Sequence, residues 1–91
     1  MSKFQKGKLY ELSFLSWQDI SIPEMRLYDC VDPESENIIG KLKLNQTFLV
    51  LEKQAKSNYL PFPWNHVKIL TNNGVVGYII FKPSDIKVNK L

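Results

Sequence analysis

Between Met25 and Val88 the chain is written as short apolar runs cut by turn signals, and that punctuation leaves little room for anything but β structure. The runs are MRLYD, IIGKLKL, QTFLVLEK, WNHVKILT, VVGYIIF and IKV. Between them stand Asp32-Pro33, Asn45, the Leu60-Pro61-Phe62-Pro63 segment, Asn72-Asn73-Gly74 and Pro83. Runs of this length bounded by Gly, Pro, Asn and Asp signal strands and hairpins. Within them the period is two, as on a pleated strand. Met25 and Leu27 therefore face one way and Arg26 and Tyr28 the other, while Val67 and Ile69 oppose Trp64, His66 and Lys68. Asn72-Asn73-Gly74 predicts a hairpin of type I′, whose central residues take positive φ. Lys82 to Asp85 has the look of one helical turn, and no stretch shows sustained helical periodicity.

Upstream, Tyr10, Leu12 and Phe14 alternate with Glu11 and Ser13, which adds a half-buried strand over 8–15. Residues 1–7 are polar and end in Gly7, so they read as a flexible tail, with 8–91 as the folded domain. Ser16 to Pro23 carries Trp17, Ile20 and Ile22 and reads as a long connection packed on the body. In QTFLVLEK, Phe48 and Val50 alternate with Leu49 and Leu51, so both faces are apolar. A cover is expected over the outer side, supplied by the amino-terminal strand and its Trp17 connection.

At 91 residues the chain has room for one core and no second domain. No apolar run reaches the roughly 20 residues of a membrane-spanning helix, and MSKFQKGKLYEL lacks the apolar stretch of a secretion signal. The expectation is a cytoplasmic protein without membrane contact. Cys30 is the only cysteine, which excludes an internal disulfide and a thiolate cluster within one chain; it reads as a small buried or half-buried apolar residue. His66 is the only histidine and has no partner at metal-ligand spacing. The four glycines, Gly7, Gly40, Gly74 and Gly77, stand singly, so no phosphate-cradling loop is written. One Cys and one His on separate elements make no catalytic unit. The expectation is no enzyme, no catalytic residue, no metal and no cofactor.

IIGKLKLNQTFLVLEK and WNHVKILTNNGVVGYI are similar to segments of the Src-homology-3-like (SH3-like) barrels, most closely the bacterial branch. The first resembles that family's apolar-apolar-Gly start, tight turn and alternating strand; the second resembles its Trp-led strand, Asn-Gly hairpin and Gly-aromatic return. About 64 residues are covered in the family's order, a span that the family's fold-level likeness alone carries without fixing a ligand. The resemblance implies an all-β domain, a small SH3-like barrel of five to six antiparallel strands with an extended amino-terminal strand and connection. Leu27-Tyr28-Asp29 resembles the centre of the family's Ala-Leu-Tyr-Asp-Tyr motif, Trp64 its groove tryptophan, and Gly77-Tyr78-Ile79 with Pro83-Ser84 its Gly-Tyr-Ile-Pro-Ser segment. Cys30 and Ile86 stand where two groove tyrosines belong, so a polyproline ligand lacks its ladder of rings.

The candidate binding residues are Tyr28, Trp64 and Tyr78 as one aromatic patch, Pro83 beside it, and Asp32 and Glu34, with Glu36, as an acidic loop flanking it. Flat rings give large contact area at low entropic cost, so the patch suits a protein or peptide partner. Rings packed beneath the 54–63 loop explain the same residues. A rival function also stays open: 12 Lys and Arg against 9 Asp and Glu give net +3, and Lys41, Lys43 and Lys68 on strands suit a nucleic-acid backbone. Neither the partner nor the oligomeric state is legible.

Overall fold

The alternation of apolar and polar side chains is realised as strands almost wherever the chain can be followed. The computed structural model describes residues 4–15, 24–31, 37–56 and 64–91. Along them run β1 (Leu9–Leu15), β2 (Glu24–Tyr28), β3 (Ile38–Lys43), β4 (Thr47–Val50), the two-residue β5 (Ala55–Lys56), β6 (Asn65–Thr71), β7 (Val76–Phe81), a 3-10 turn at Pro83–Asp85 and β8 (Ile86–Lys90). The domain is all-β, with every pairing antiparallel. Among the described residues no helix is long and apolar enough to cross a membrane.

The strands form one sheet in the order β3-β2-β7-β6-β4-β1-β8, with β5 attached to β6. The sheet does not close into the expected barrel. Among the described residues β3 pairs only with β2 and β8 only with β1, so each end of the path keeps a free edge and no ladder joins the two. Among the described residues the strands number eight rather than five or six, the two-residue β5 on β6 being one that no apolar run announces. Right-handed twist still curls an open sheet of this size around its inner face. Leu12, Leu27, Val50, Val67, Ile79 and Phe81, from five different strands, are fully enclosed in a single cluster, and the Cα extents are 31 × 29 × 26 Å.

The segment expected as a tail enters that cluster. Phe4 is 1 % exposed. Its ring meets Tyr10 edge-on at 5.2 Å, Phe81 edge-on at 5.4 Å and Phe48 at 5.8 Å, the geometries in which ring quadrupoles attract. The backbone is tied down around it: the Gly7 N–H donates to the Val50 carbonyl at 2.8 Å, and the Gln5 N–H to the Tyr10 hydroxyl at 2.8 Å. A single phenylalanine among polar neighbours has no periodicity, and only tertiary packing reveals its role.

The β6–β7 hairpin forms where the sequence places it, but not through a type I′ turn. Asn45 is the one non-glycine residue with positive φ among those described, so Asn73 does not adopt it. Gly74 does, at φ 89°. The Gly74 N–H donates to the Thr71 carbonyl at 3.0 Å and the Thr71 N–H to the Val75 carbonyl at 2.8 Å, which makes a three-residue loop closed by glycine. Thr71 also accepts the Val75 N–H on its hydroxyl at 3.0 Å, and this extra anchor favours the longer loop. Asn45, at φ 69°, makes the left-handed turn expected between β3 and β4.

β1 does not lie over β4 as the apolar faces of 48–51 suggested. It runs beside β4, Leu9 opposite Leu49, and hydrogen-bonds to it. Backbone pairing satisfies an edge that a covering layer would leave open, and Leu49 and Leu51 remain half-buried. Trp17 lies outside the described residues.

Candidate functional site

Strand alternation turns one row of side chains on β2, β7 and β6 toward the outer face. Tyr28 and Tyr78 stand directly opposite one another across β2 and β7. On the other side of Tyr78, in register, is Lys68 of β6, and His66 stands opposite Ile80. Directly opposed Cβ atoms in an antiparallel pair lie about 5 Å apart, so these rings share one surface. All five side chains are half-buried, neither core nor free.

Gly77 makes the approach of β2 to β7 feasible. A Cβ there would stand 3.1 Å from the Tyr28 carbonyl oxygen and 3.3 Å from the Leu27 Cβ. A side chain there requires β2 to give way by a few tenths of an ångström. The Gly-aromatic pair that the sequence offers as a family likeness thus has a local physical reason.

The ring of His66 meets Tyr78 edge-on, centroids 5.9 Å apart and planes at 77°. The Lys68 ammonium lies 6.0 Å from the Tyr78 ring centre and 3.7 Å from the Glu52 carboxylate. Burial pushes the His66 imidazole below its ordinary pKa, while Glu52 acts in the opposite direction more weakly. Its Nδ1 is buried with no hydrogen-bond partner among the described residues. Burial thus disfavours the charged imidazole. At the far end Trp64 leads into β6, half-buried, with the Lys82 ammonium 5.1 Å from the ring centre, a cation–π arrangement. Pro83, next in sequence, opens the 3-10 turn.

Tyr28, Tyr78 and Trp64 thus occupy one face, with Pro83 at its end. Asp32 and Glu34 lie outside the described residues, as does Glu36. The base of their loop, however, is clamped: the Asn37 N–H donates to Asp29 Oδ1 at 2.8 Å, and the Asp29 N–H donates to the Asn37 carbonyl at 3.0 Å. The first of these bonds is the main reason the Asp29 carboxyl sits below its ordinary pKa. Sequence reading passed over Asp29 and Asn37 as a clamp, though an Asp and an Asn bracketing a loop is a signal that they can trade backbone bonds.

Lys68 belongs to the aromatic face, whereas Lys41 and Lys43 stand on β3, and Lys41 is paired with Glu24 at 2.9 Å. His66 and Lys82, which neither reading placed in the patch, are part of it; their signal was alternation carried one strand further. Among the described residues no three His, Cys, Asp or Glu side chains are grouped to hold a metal ion. A scan against protein-family models and searches of curated proteins and of solved structures find no match to this chain.

Proposed function

We propose that this domain is a non-enzymatic, SH3-like interaction module acting in the cytoplasm, and that it docks a protein or peptide partner on the outer face built from Tyr28, His66, Tyr78 and Trp64. The observation that carries the reading is the direct opposition of Tyr28 and Tyr78 on adjacent strands, extended by His66 edge-on to Tyr78. Half-buried rings held by their neighbours lose little entropy on binding and offer flat area to a partner, as hot-spot residues do. The chain order of Gly-aromatic return strand, Pro-led turn and short closing strand supports the SH3-like part of the proposal. Lys82 over Trp64 and Lys68 beside Tyr78 give the face two cations among its rings.

A library of short displayed peptides panned on the wild-type domain tests this reading. Selected peptides should bind the wild type and lose about tenfold or more in affinity to Trp64→Ala and Tyr78→Ala, the loss expected of a ring at a hot spot. The far-ultraviolet circular dichroism of both variants should match the wild type. Peptides that bind both folded variants as tightly as the wild type would reject the docking face, and an unfolded Trp64→Ala would place that ring in the structural core.

A further inference from the structure

At the opposite end of β6, where the β3–β4 and β6–β7 turns meet, lies a hollow of about 300 Å³ lined by Lys41 to Gln46 of the first turn, Leu42 excepted, and by Asn72 and Asn73 of the second. It is separate from the aromatic face: six residues from His66 to Asn72 span about 20 Å of extended chain. The hydrogen bonds around it run in one direction only. The Lys43 backbone N–H, which can only donate, gives its proton to Gln46 Oε1 at 2.9 Å. That bond fixes the Gln46 amide, so its nitrogen is the donor toward Asn72 Oδ1 at 2.8 Å and Asn73 Oδ1 at 3.4 Å. The Thr71 hydroxyl also lies against Asn73 Oδ1. Both asparagine oxygens are therefore occupied as acceptors. Their Nδ2 groups are left as donors with no acceptor among the described residues.

Charge points the same way. Glu24 stands opposite Lys43 in the β2–β3 register but directs its carboxylate to Lys41. The Lys43 ammonium has no carboxylate within ion-pair distance among the described residues. A hollow lined by amide donors and an unpaired ammonium, with the Asn72 and Asn73 oxygens already engaged, is complementary to an oxyanion. We infer that it is a phosphate-binding site, in which Lys43 supplies the charge, Asn72 and Asn73 the N–H donors, and Gln46 holds both asparagines in the donating orientation. Phosphate suits the site better than a lone carboxylate because it carries more oxygens, enough for two amides and an ammonium to meet one each.

Inorganic phosphate is the probe. In the ¹⁵N-labelled protein, sodium phosphate should shift the side-chain NH₂ signals of Asn72 and Asn73 along a saturable curve, while sodium chloride at matched ionic strength leaves them in place. Lys43→Gln, at an exposed position, should weaken binding about fivefold, the worth of one surface charge interaction. Asn73→Asp, which replaces a donor with a charge of the wrong sign, should abolish it; unshifted signals for Ile69 and Ile79 report that each variant keeps its fold. Shifts that chloride reproduces, that do not saturate, or that survive Lys43→Gln unchanged would overturn the proposal. Competition by an oligothymidylate assigns the phosphate to a nucleic-acid strand, and an isotherm unaffected by it assigns a small phosphate; either result upholds the site. None of these outcomes depends on the docking face.

Discussion

Replacing Phe4 with alanine tests how much of this small fold depends on a residue that its neighbours in sequence disguise. The ring is 1 % exposed and touches Tyr10, Phe48 and Phe81 with centroids between 5.2 and 5.8 Å. Truncating a buried phenylalanine costs about 3–5 kcal/mol. Phe4 enters from a chain end, so part of the site collapses or fills with water, and the lower half of that range, about 3 kcal/mol, is the expectation. Against a total stability of about 5–15 kcal/mol for a domain, that is a large fraction. Urea unfolding followed by tryptophan fluorescence measures it: the midpoint should fall with little change in slope. Phe4→Leu, which keeps most of the apolar volume, should recover more than half of the loss. A Phe4→Ala variant within about 0.5 kcal/mol of the wild type, the scale of an ordinary surface substitution, would show that residues 4–7 do not belong to the folded unit.

Two further perturbations follow from the face itself. Gly77→Ala sets a methyl 3.1 Å from the Tyr28 carbonyl oxygen and should destabilise by about 1–3 kcal/mol, the usual cost of overpacking; in thermal melts an unchanged midpoint would mean that β2 does not approach β7 so closely. His66 is held below its ordinary pKa by burial, so the unfolded chain binds the proton more readily than the folded one. Its contribution is complete above about pH 6.5, the unfolded value, and is lost as pH falls below it. His66→Gln should flatten the decline in urea midpoint between neutral and mildly acid pH, and an identical decline in both proteins would dismiss the burial of its ring as a factor.

What the sequence displays plainly is alternation and punctuation. Met25 and Leu27 inside with Arg26 and Tyr28 outside, and Val67 and Ile69 inside with Trp64, His66 and Lys68 outside, follow from the period of two and are found so. The strands beginning at Ile38 and ending at Thr71 and Phe81 lie where they are read. Closure is not legible in the same way, because whether β8 meets β3 depends on how far the whole sheet curls, and no local residue encodes that. Turn type fails for a related reason: Asn-Gly favours type I′, but the Thr71 hydroxyl and the Val75 backbone select the three-residue loop. Phe4 is invisible because burial of one ring needs no pattern. In the candidate site, Tyr28 and Trp64 were readable as outward-facing rings, whereas Tyr78 read as readily as a core residue, and its opposition to Tyr28 needed the β2–β7 pairing, a non-local contact between strands 50 residues apart in register. The division of the lysines, Lys68 with the rings and Lys41 with Glu24, likewise exists only once the strand order is known.

Transfer of magnetisation from a bound, panned peptide to the ¹⁵N-labelled domain locates the contact surface residue by residue. The signals attenuated should cluster at Tyr28, His66, Tyr78 and Trp64 and spare β8. Attenuation along the free edge of β8, or at the Asn72–Asn73 hollow with the tyrosines untouched, would contradict docking on the outer aromatic face.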